Sequence, residues 1–213
     1  MSKYPVGETL ERLGMSRGSI IEAILTTLNW DGSINAAPMG VTRVEPKRIS
    51  VRPYRSTTTC ENLRRDGHAC VNTTGRPELF FATAFKGTHA GIFPQPIFDG
   101  LAMIDADASI FLELSEEGGE QERPTFSGKP SSVMISENLP PAYSRGRSQA
   151  IDAVIIATHI EYQAISGLTI DKLQLNYLDR CIQVVRKVSP PESPEARVTD
   201  EIEKMGETWR SGR

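Results

Sequence analysis

The chain has 213 residues, 38% hydrophobic and 24% charged, and its 27 acidic against 24 basic residues leave a formal charge of -3. That suffices for one long domain or for a main domain with an appendage, and it excludes a global electrostatic pull toward nucleic acid or an anionic membrane. No window approaches the ~18 apolar residues needed to cross a bilayer, and Met1 to Gly7 has no signal-peptide core, so a cytoplasmic protein is expected. Cys60, Cys70 and Cys181 are odd in number and never spaced as Cys-x-x-Cys, which argues against a disulfide framework and a zinc knuckle, and no metal is expected.

Ile20 to Leu28 is apolar or β-branched at nearly every position, as in a strand buried on both faces. Asn29-Trp-Asp-Gly32 is a turn signal, and Ser33 to Val41 resumes an extended pattern, so the two form a predicted β-hairpin. Pro38 has no N–H for a ladder, so Ala37-Pro-Met-Gly40 is expected to leave the sheet locally and expose its backbone. After a turn at Glu45 to Arg48, Ile49 and Val51 alternate inward and put Ser50 and Arg52 on the opposite face. Thr58-x-x-Glu61 reads as a capping box opening a short helix that Gly67 stops, and His68 to Thr73 returns as a strand. Arg76 to Lys86 reads as a second short helix with Pro77 at its first position and Gly87 at its stop, although its phenylalanines also suit a strand. Ala106 to Glu116 alternates Ala108, Ile110, Leu112 and Leu114 against Ser109, Phe111, Glu113 and Ser115, and Gly118-Gly119 turns the chain toward a partner strand near Arg123 to Ser127. About six strands result, the size of a small barrel.

From Pro140-Pro141 onward the pattern becomes helical: Gln149 to Tyr162, then a helix with Leu175, Leu178, Ile182 and Val185 on one face. Pro190 to Pro194 is a linker in which Ser193 caps a last helix with Pro194 at its first position, and Val198, Ile202, Met205 and Trp209 form that helix's stripe. The expected organisation is a β-rich domain over residues 1–137 and an α-helical extension over residues 138–213.

Between Arg52 and Thr59 stand two guanidiniums, the Tyr54 hydroxyl, and Ser56, Thr57, Thr58 and Thr59, all at a helix entry. Helix-start amides carry partial positive charge and Arg forks match phosphate oxygens, so the group suits a phosphomonoester; it equally suits a polar helix cap with a solvated face. Asn35 to Gly40 has small side chains that let a flat aromatic ring lie against the backbone, or it is an ordinary bulge at a barrel rim. His68, His89 and His159 lack metal-ligand spacing and read as structural or surface residues. Gly87-Thr-His-Ala-Gly91 departs from a phosphate loop, and neither a nucleophile elbow nor a dinucleotide turn is present. Asp105, Asp107 and Asp152 are acids without a spacing that singles out a general base. Basic residues are not concentrated and aromatics are only 7%, which speaks against a nucleic-acid module.

Taken together, Ile21 to Thr27, Asn35 to Val41, Val51 to Leu63, Cys70-Val-Asn-Thr73, Ser144-Arg-Gly-Arg147 and Ala157-Thr-His159 resemble the split-barrel flavoprotein family of unknown function number 447, across most of the chain. The resemblance implies an α+β, β-rich fold: a six-stranded FMN-binding split β-barrel of the flavin reductase-like group with a C-terminal α-helical extension. It implies a homodimer with FMN in grooves at the interface. Arg52, Tyr54, Ser56, Thr57, Thr58 and Thr59 would then surround the phosphate with Asn62 nearby, while Ala37, Pro38, Met39 and Gly40 would line the isoalloxazine ring with Asn72 close to it. His159 stands where the family more often has arginine, and the hydroxyl run from Ser56 to Thr59 is longer than usual. Two functions follow: an oxidoreductase whose FMN is reduced by a nicotinamide or another reduced carrier, or a carrier of FMN or another phosphate-bearing ligand without turnover.

Overall fold

Two units make up the chain in the computed structural model, which describes residues 5–137 and 144–211; one unit runs to Thr74 and resumes at Pro96, and the other contains Gly75–Gln95 and the helices beyond residue 143. Pro140-Pro141, where the helical character was expected to begin, lies outside the described residues.

The first unit is a closed barrel in the order β1-β2-β3-β8-β7-β4, formed by β1 (Ile20–Leu28), β2 (Ile34–Glu45), β3 (Arg48–Val51), β4 (His68–Thr73), β7 (Ala108–Gly119) and β8 (Pro124–Ile135). Every pairing is antiparallel, and closure leaves no complete edge strand exposed. The connection from β4 to β7 carries the small ribbon β5 (Phe98–Asp99) and β6 (Ala102–Met103). Alternation fills the interior as expected: Ile49 and Val51 meet Ile110, Leu112, Leu114 and Phe126, with Leu25 and Val71 from the closing pair. Each such large apolar side chain contributes roughly 1.5 to 3 kcal/mol when wholly buried. α1 (Val6–Arg12) is tied to β2 by buried Arg43, which donates to the Met15 carbonyl at 2.9 Å, the Pro46 carbonyl at 2.9 Å and Glu11 Oε1 at 3.2 Å. Gly128 is required where β8 crosses β7, since a Cβ there would lie 1.7 Å from the Glu113 carbonyl oxygen.

Several local expectations are corrected. β1 is not buried on both faces throughout, because Ile20 is 68% exposed. Ala37 to Gly40 does not leave the sheet: β2 keeps register with β1 through this stretch, with Pro38 opposite Ile24. Proline is tolerated because β3 pairs β2 only from Val41 onward, so the strand's second side is unpaired there and no ladder bond is lost. β3 ends at Val51, leaving Arg52 in the connection rather than on a strand face. Gly118 and Gly119 are the last residues of β7, with φ of 119° and 102°, and the turn itself falls on residues 120–123.

The second unit assembles α3 (Pro77–Ala84), α4 (Arg145–Ile165), α5 (Lys172–Val188) and α6 (Pro194–Ser211). Pro77 opens α3 as expected, but Phe85 ends it before Gly87. α4 extends beyond the predicted Gln149 to Tyr162 at both ends; it starts earlier because Ser144 caps it, accepting from the Arg147 amide at 3.2 Å, and it runs on to Ile165. Ser193 likewise caps α6, accepting from the Ala196 amide at 3.3 Å. The unit's buried apolar side chains include Phe80 and Phe81 of α3 with Phe85 at its end, Val154 and Ile160 of α4, Ile182 and Val185 of α5, and Val198 and Ile202 of α6. The predicted faces of α5 and α6 are the buried ones, with Leu175 and Trp209 half-buried at their ends.

Candidate functional site

The connection from β3 enters α2 (Thr58–Asp66) at one rim of the barrel. Cys60 and Leu63 are the apolar residues that seat this helix in the barrel core. The cap is Thr57, not the predicted Thr58: its backbone is extended (φ -96°, ψ 148°), and its Oγ1 accepts from the Cys60 amide at 3.3 Å while donating to the Tyr54 carbonyl at 2.7 Å. The next amides, of Thr58 and Thr59, have no intrahelical acceptor, and the helix places its positive end there. Ser56 and Thr58 are exposed at that start. Gly67, at φ 69°, closes the helix in the left-handed conformation as expected.

Beneath α2 runs a buried polar bridge. Asn35 on β2 donates from Nδ2 to Thr59 Oγ1 at 3.0 Å and to Thr27 Oγ1 at 3.1 Å, and Asn62 Nδ2 donates to Thr27 Oγ1 at 3.0 Å and Asn29 Oδ1 at 2.9 Å. Thr27, Thr59 and Asn62 are each at most 2% exposed. Thr59 and Asn62 therefore hold the helix to the β1–β2 hairpin, and α2 is placed beside the one-sided stretch of β2. Ala37, Pro38, Met39 and Gly40 are half-buried along that stretch. A side chain at position 40 would press on Ile20, because a Cβ there would stand 3.2 Å from Ile20 Cγ2. At the far end of α2, Arg65 accompanies Trp30, its guanidinium carbon 4.7 Å from the ring centre.

The end of the β7–β8 hairpin lies against the other side of the connection. Arg52 pairs with Glu120 at 3.1 Å, and Arg55 donates its backbone N–H to the Glu122 carbonyl at 2.9 Å and its Nε to the Gln121 carbonyl at 2.5 Å. Arg123, which the sequence pattern did not single out, puts its guanidinium 4.5 Å from the Tyr54 ring centre and donates to the Arg52 carbonyl at 3.3 Å. Only its place across a sheet pairing brings it here.

Asn72 sits within the barrel wall and is wholly buried. Its Nδ2 donates to Thr26 Oγ1 at 3.1 Å and the Ile24 carbonyl at 3.3 Å, and its Oδ1 accepts from the Met103 amide at 2.8 Å and the Ser109 hydroxyl at 2.7 Å. The thiols are poor nucleophiles: burial pushes Cys70 up to about 12 and Cys181 up to about 11, and raises Cys60. Asp105 and Asp107 are exposed, while burial raises the Asp152 carboxyl, which accepts from Gln149 Nε2 at 2.8 Å. Among the described residues no group of three or more His, Cys, Asp or Glu side chains is arranged to hold a metal, and no helix is long and apolar enough to cross a membrane.

A closed six-stranded antiparallel barrel, with a capped helix start beside a one-sided strand, places the chain among α+β proteins of the split-barrel class. Residues 21–137 match the N-terminal domain of a protein family of unknown function, DUF447, and the chain belongs to that family, as its motifs led us to expect. The fold is that of an FMN-bound DUF447 protein from Methanosarcina mazei, with a TM-score of 0.70 and 20% identity over 92% of this chain and 98% of that one. More distant likenesses include the styrene monooxygenase flavin reductase of Pseudomonas putida S12 (TM-score 0.47, 20% identity, 56% of this chain and 81% of that one). Flavoredoxin from Methanosarcina acetivorans is similarly distant (TM-score 0.46, 19% identity, 57% and 72%).

Proposed function

We propose that this protein is a cytoplasmic FMN-binding flavoprotein, an oxidoreductase of the flavin reductase-like split-barrel group. The observation that carries the reading is the Asn35–Thr59 bond, which sets the one-sided stretch of β2 next to the start of α2. A mononucleotide flavin needs two neighbouring features, an anion site and an open backbone edge for a flat ring, and both stand here within one side chain of each other. The FMN-bound state of the Methanosarcina mazei protein supports the same ligand.

In this reading Arg52 supplies charge to the phosphate, and the exposed hydroxyls of Ser56 and Thr58, with the first-turn amides, complete its hydrogen bonds beside Tyr54, while Thr57, whose hydroxyl proton is held by the Tyr54 carbonyl, fixes the helix start. Ala37, Pro38, Met39 and Gly40 lie along the ring. The burial of Thr59, Asn62 and Asn72 gives them a positioning part, holding α2 and the barrel wall that the flavin rests on. Bound FMN supplies hydride and electron transfer, and the protein contributes position, exclusion of water and a fixed charge at the phosphate. A homodimer with FMN at the interface belongs to the same proposal; the exposed Ile20, beside Gly40, is an apolar surface for a second copy to cover.

Binding and reduction test it separately. Purified protein is expected to take up FMN more tightly than riboflavin, and Arg52→Ala to weaken FMN by roughly ten- to a hundredfold, the 1.5 to 3 kcal/mol of a charge-assisted hydrogen bond. Failure to bind added FMN at all defeats the proposal. Anaerobic bleaching of the bound flavin by NADH or NADPH is expected of the oxidoreductase, whereas binding without reduction by any nicotinamide assigns the protein to the carrier class.

A further inference from the structure

The β7–β8 hairpin end is held against β3, the connection after it and α2 through a series of arginines. Arg64 meets Glu116 in two contacts at 2.8 and 3.0 Å, Arg48 pairs with Glu117, and Arg55 binds the backbone carbonyls of Gln121 and Glu122. Between these anchors Glu120 reaches Arg52 in a single contact at 3.1 Å. Its presentation is built into the backbone: a Cβ on Gly119 would lie 2.6 Å from the Thr125 amide and 2.7 Å from the Arg123 carbonyl oxygen, so only glycine makes this bend. The Arg52–Glu120 pair is also the more open one, its side chains 46% and 76% exposed against 34% and 35% for Arg64–Glu116.

We propose that Glu120 is an internal competitor for the ligand's phosphate at Arg52 and that it speeds FMN release. The proposal rests on the reading of Arg52 as a phosphate ligand. A carboxylate and a phosphate use the same face of a guanidinium, and the phosphate, with nearly twice the charge, displaces the carboxylate on binding. When FMN departs, Glu120 returns to the fork, so Arg52 is never left uncompensated and the barrier to release falls. Such a device suits a flavin that is exchanged between proteins and works against one held permanently.

The experiment measures FMN and riboflavin affinity by flavin fluorescence, and FMN release by stopped flow, in the wild type, Glu120→Gln, Arg52→Gln and the double variant, with Glu117→Gln as a control of equal charge change. An exposed pair of this kind predicts two- to fivefold tighter FMN binding and correspondingly slower release in Glu120→Gln, with riboflavin unmoved. The gain is expected to vanish in the Arg52→Gln background and to be absent in Glu117→Gln. A gain that persists without Arg52, or appears equally in Glu117→Gln, overturns the proposal by showing a general field effect. No gain in a protein that still prefers FMN to riboflavin overturns it too, leaving the flavin assignment standing. A wild type that binds both flavins equally removes the phosphate reading itself, and this inference with it.

Discussion

Asn72 shows how much one side chain organises. Its amide joins β1, β4, the β6 ribbon and β7, and truncation to alanine leaves the Met103 amide and Ser109 hydroxyl without their acceptor in a water-excluded place. Each buried orphan costs about 1 to 3 kcal/mol, so Asn72→Ala is expected to lose several kcal/mol in urea unfolding. The cysteines give a second residue-scale prediction. With Cys70 pushed up to about 12 and Cys181 to about 11, and all three thiols wholly buried, native protein at pH 8 is expected to show no fast reaction with Ellman's reagent, and three thiols after denaturation. Residue type marks Arg52 and Ser56 to Thr59 as a polar group at a helix entry, the group to which the phosphate role is proposed. It did not distinguish the exposed Ser56 and Thr58 from the buried Thr59, because helix phase depends on which threonine takes the cap.

At the scale of elements, α2 and the α4–α5 pair carry the next tests. Gly67 holds φ 69°, and an added Cβ would stand 2.5 Å from the Leu114 carbonyl oxygen, so Gly67→Ala combines backbone strain with a clash against β7. A loss of more than about 1 kcal/mol is expected, read as a lower melting temperature. In α4, burial raises the Asp152 carboxyl above its ordinary value, and Tyr177 of α5 hydrogen-bonds it. The folded state therefore keeps a proton that the unfolded state releases, and this contribution is complete below about pH 4 and lost as pH rises through the folded value. Melting temperature is expected to fall between pH 4 and pH 7 more steeply in the wild type than in Asp152→Asn; equal slopes would show that Asp152 is not the group responsible. Strand and helix identities were readable because their periods of 2 and 3.6 are local properties. Pro38 keeps its place in the sheet for a non-local reason: its tolerance depends on β3 stopping short, which no feature of β2 announces.

For the whole molecule, sedimentation is the direct measurement, with a particle of twice the 23.5 kDa chain expected and a clean monomer removing the second half of the proposed groove. The six-strand count, the helical C-terminal extension, the caps at Ser193 and Gly67, and family membership all followed from the sequence alone, because hydrophobic alternation, turn residues and a long motif string are written in adjacent positions. The strand order around the barrel, the grouping of Gly75–Gln95 with the later helices, and the arrival of Glu120 and Arg123 beside Arg52 came only with the tertiary structure. Those facts depend on pairing between segments distant along the chain. Such pairing is decided by packing the whole apolar set at once, and no single segment encodes its partner.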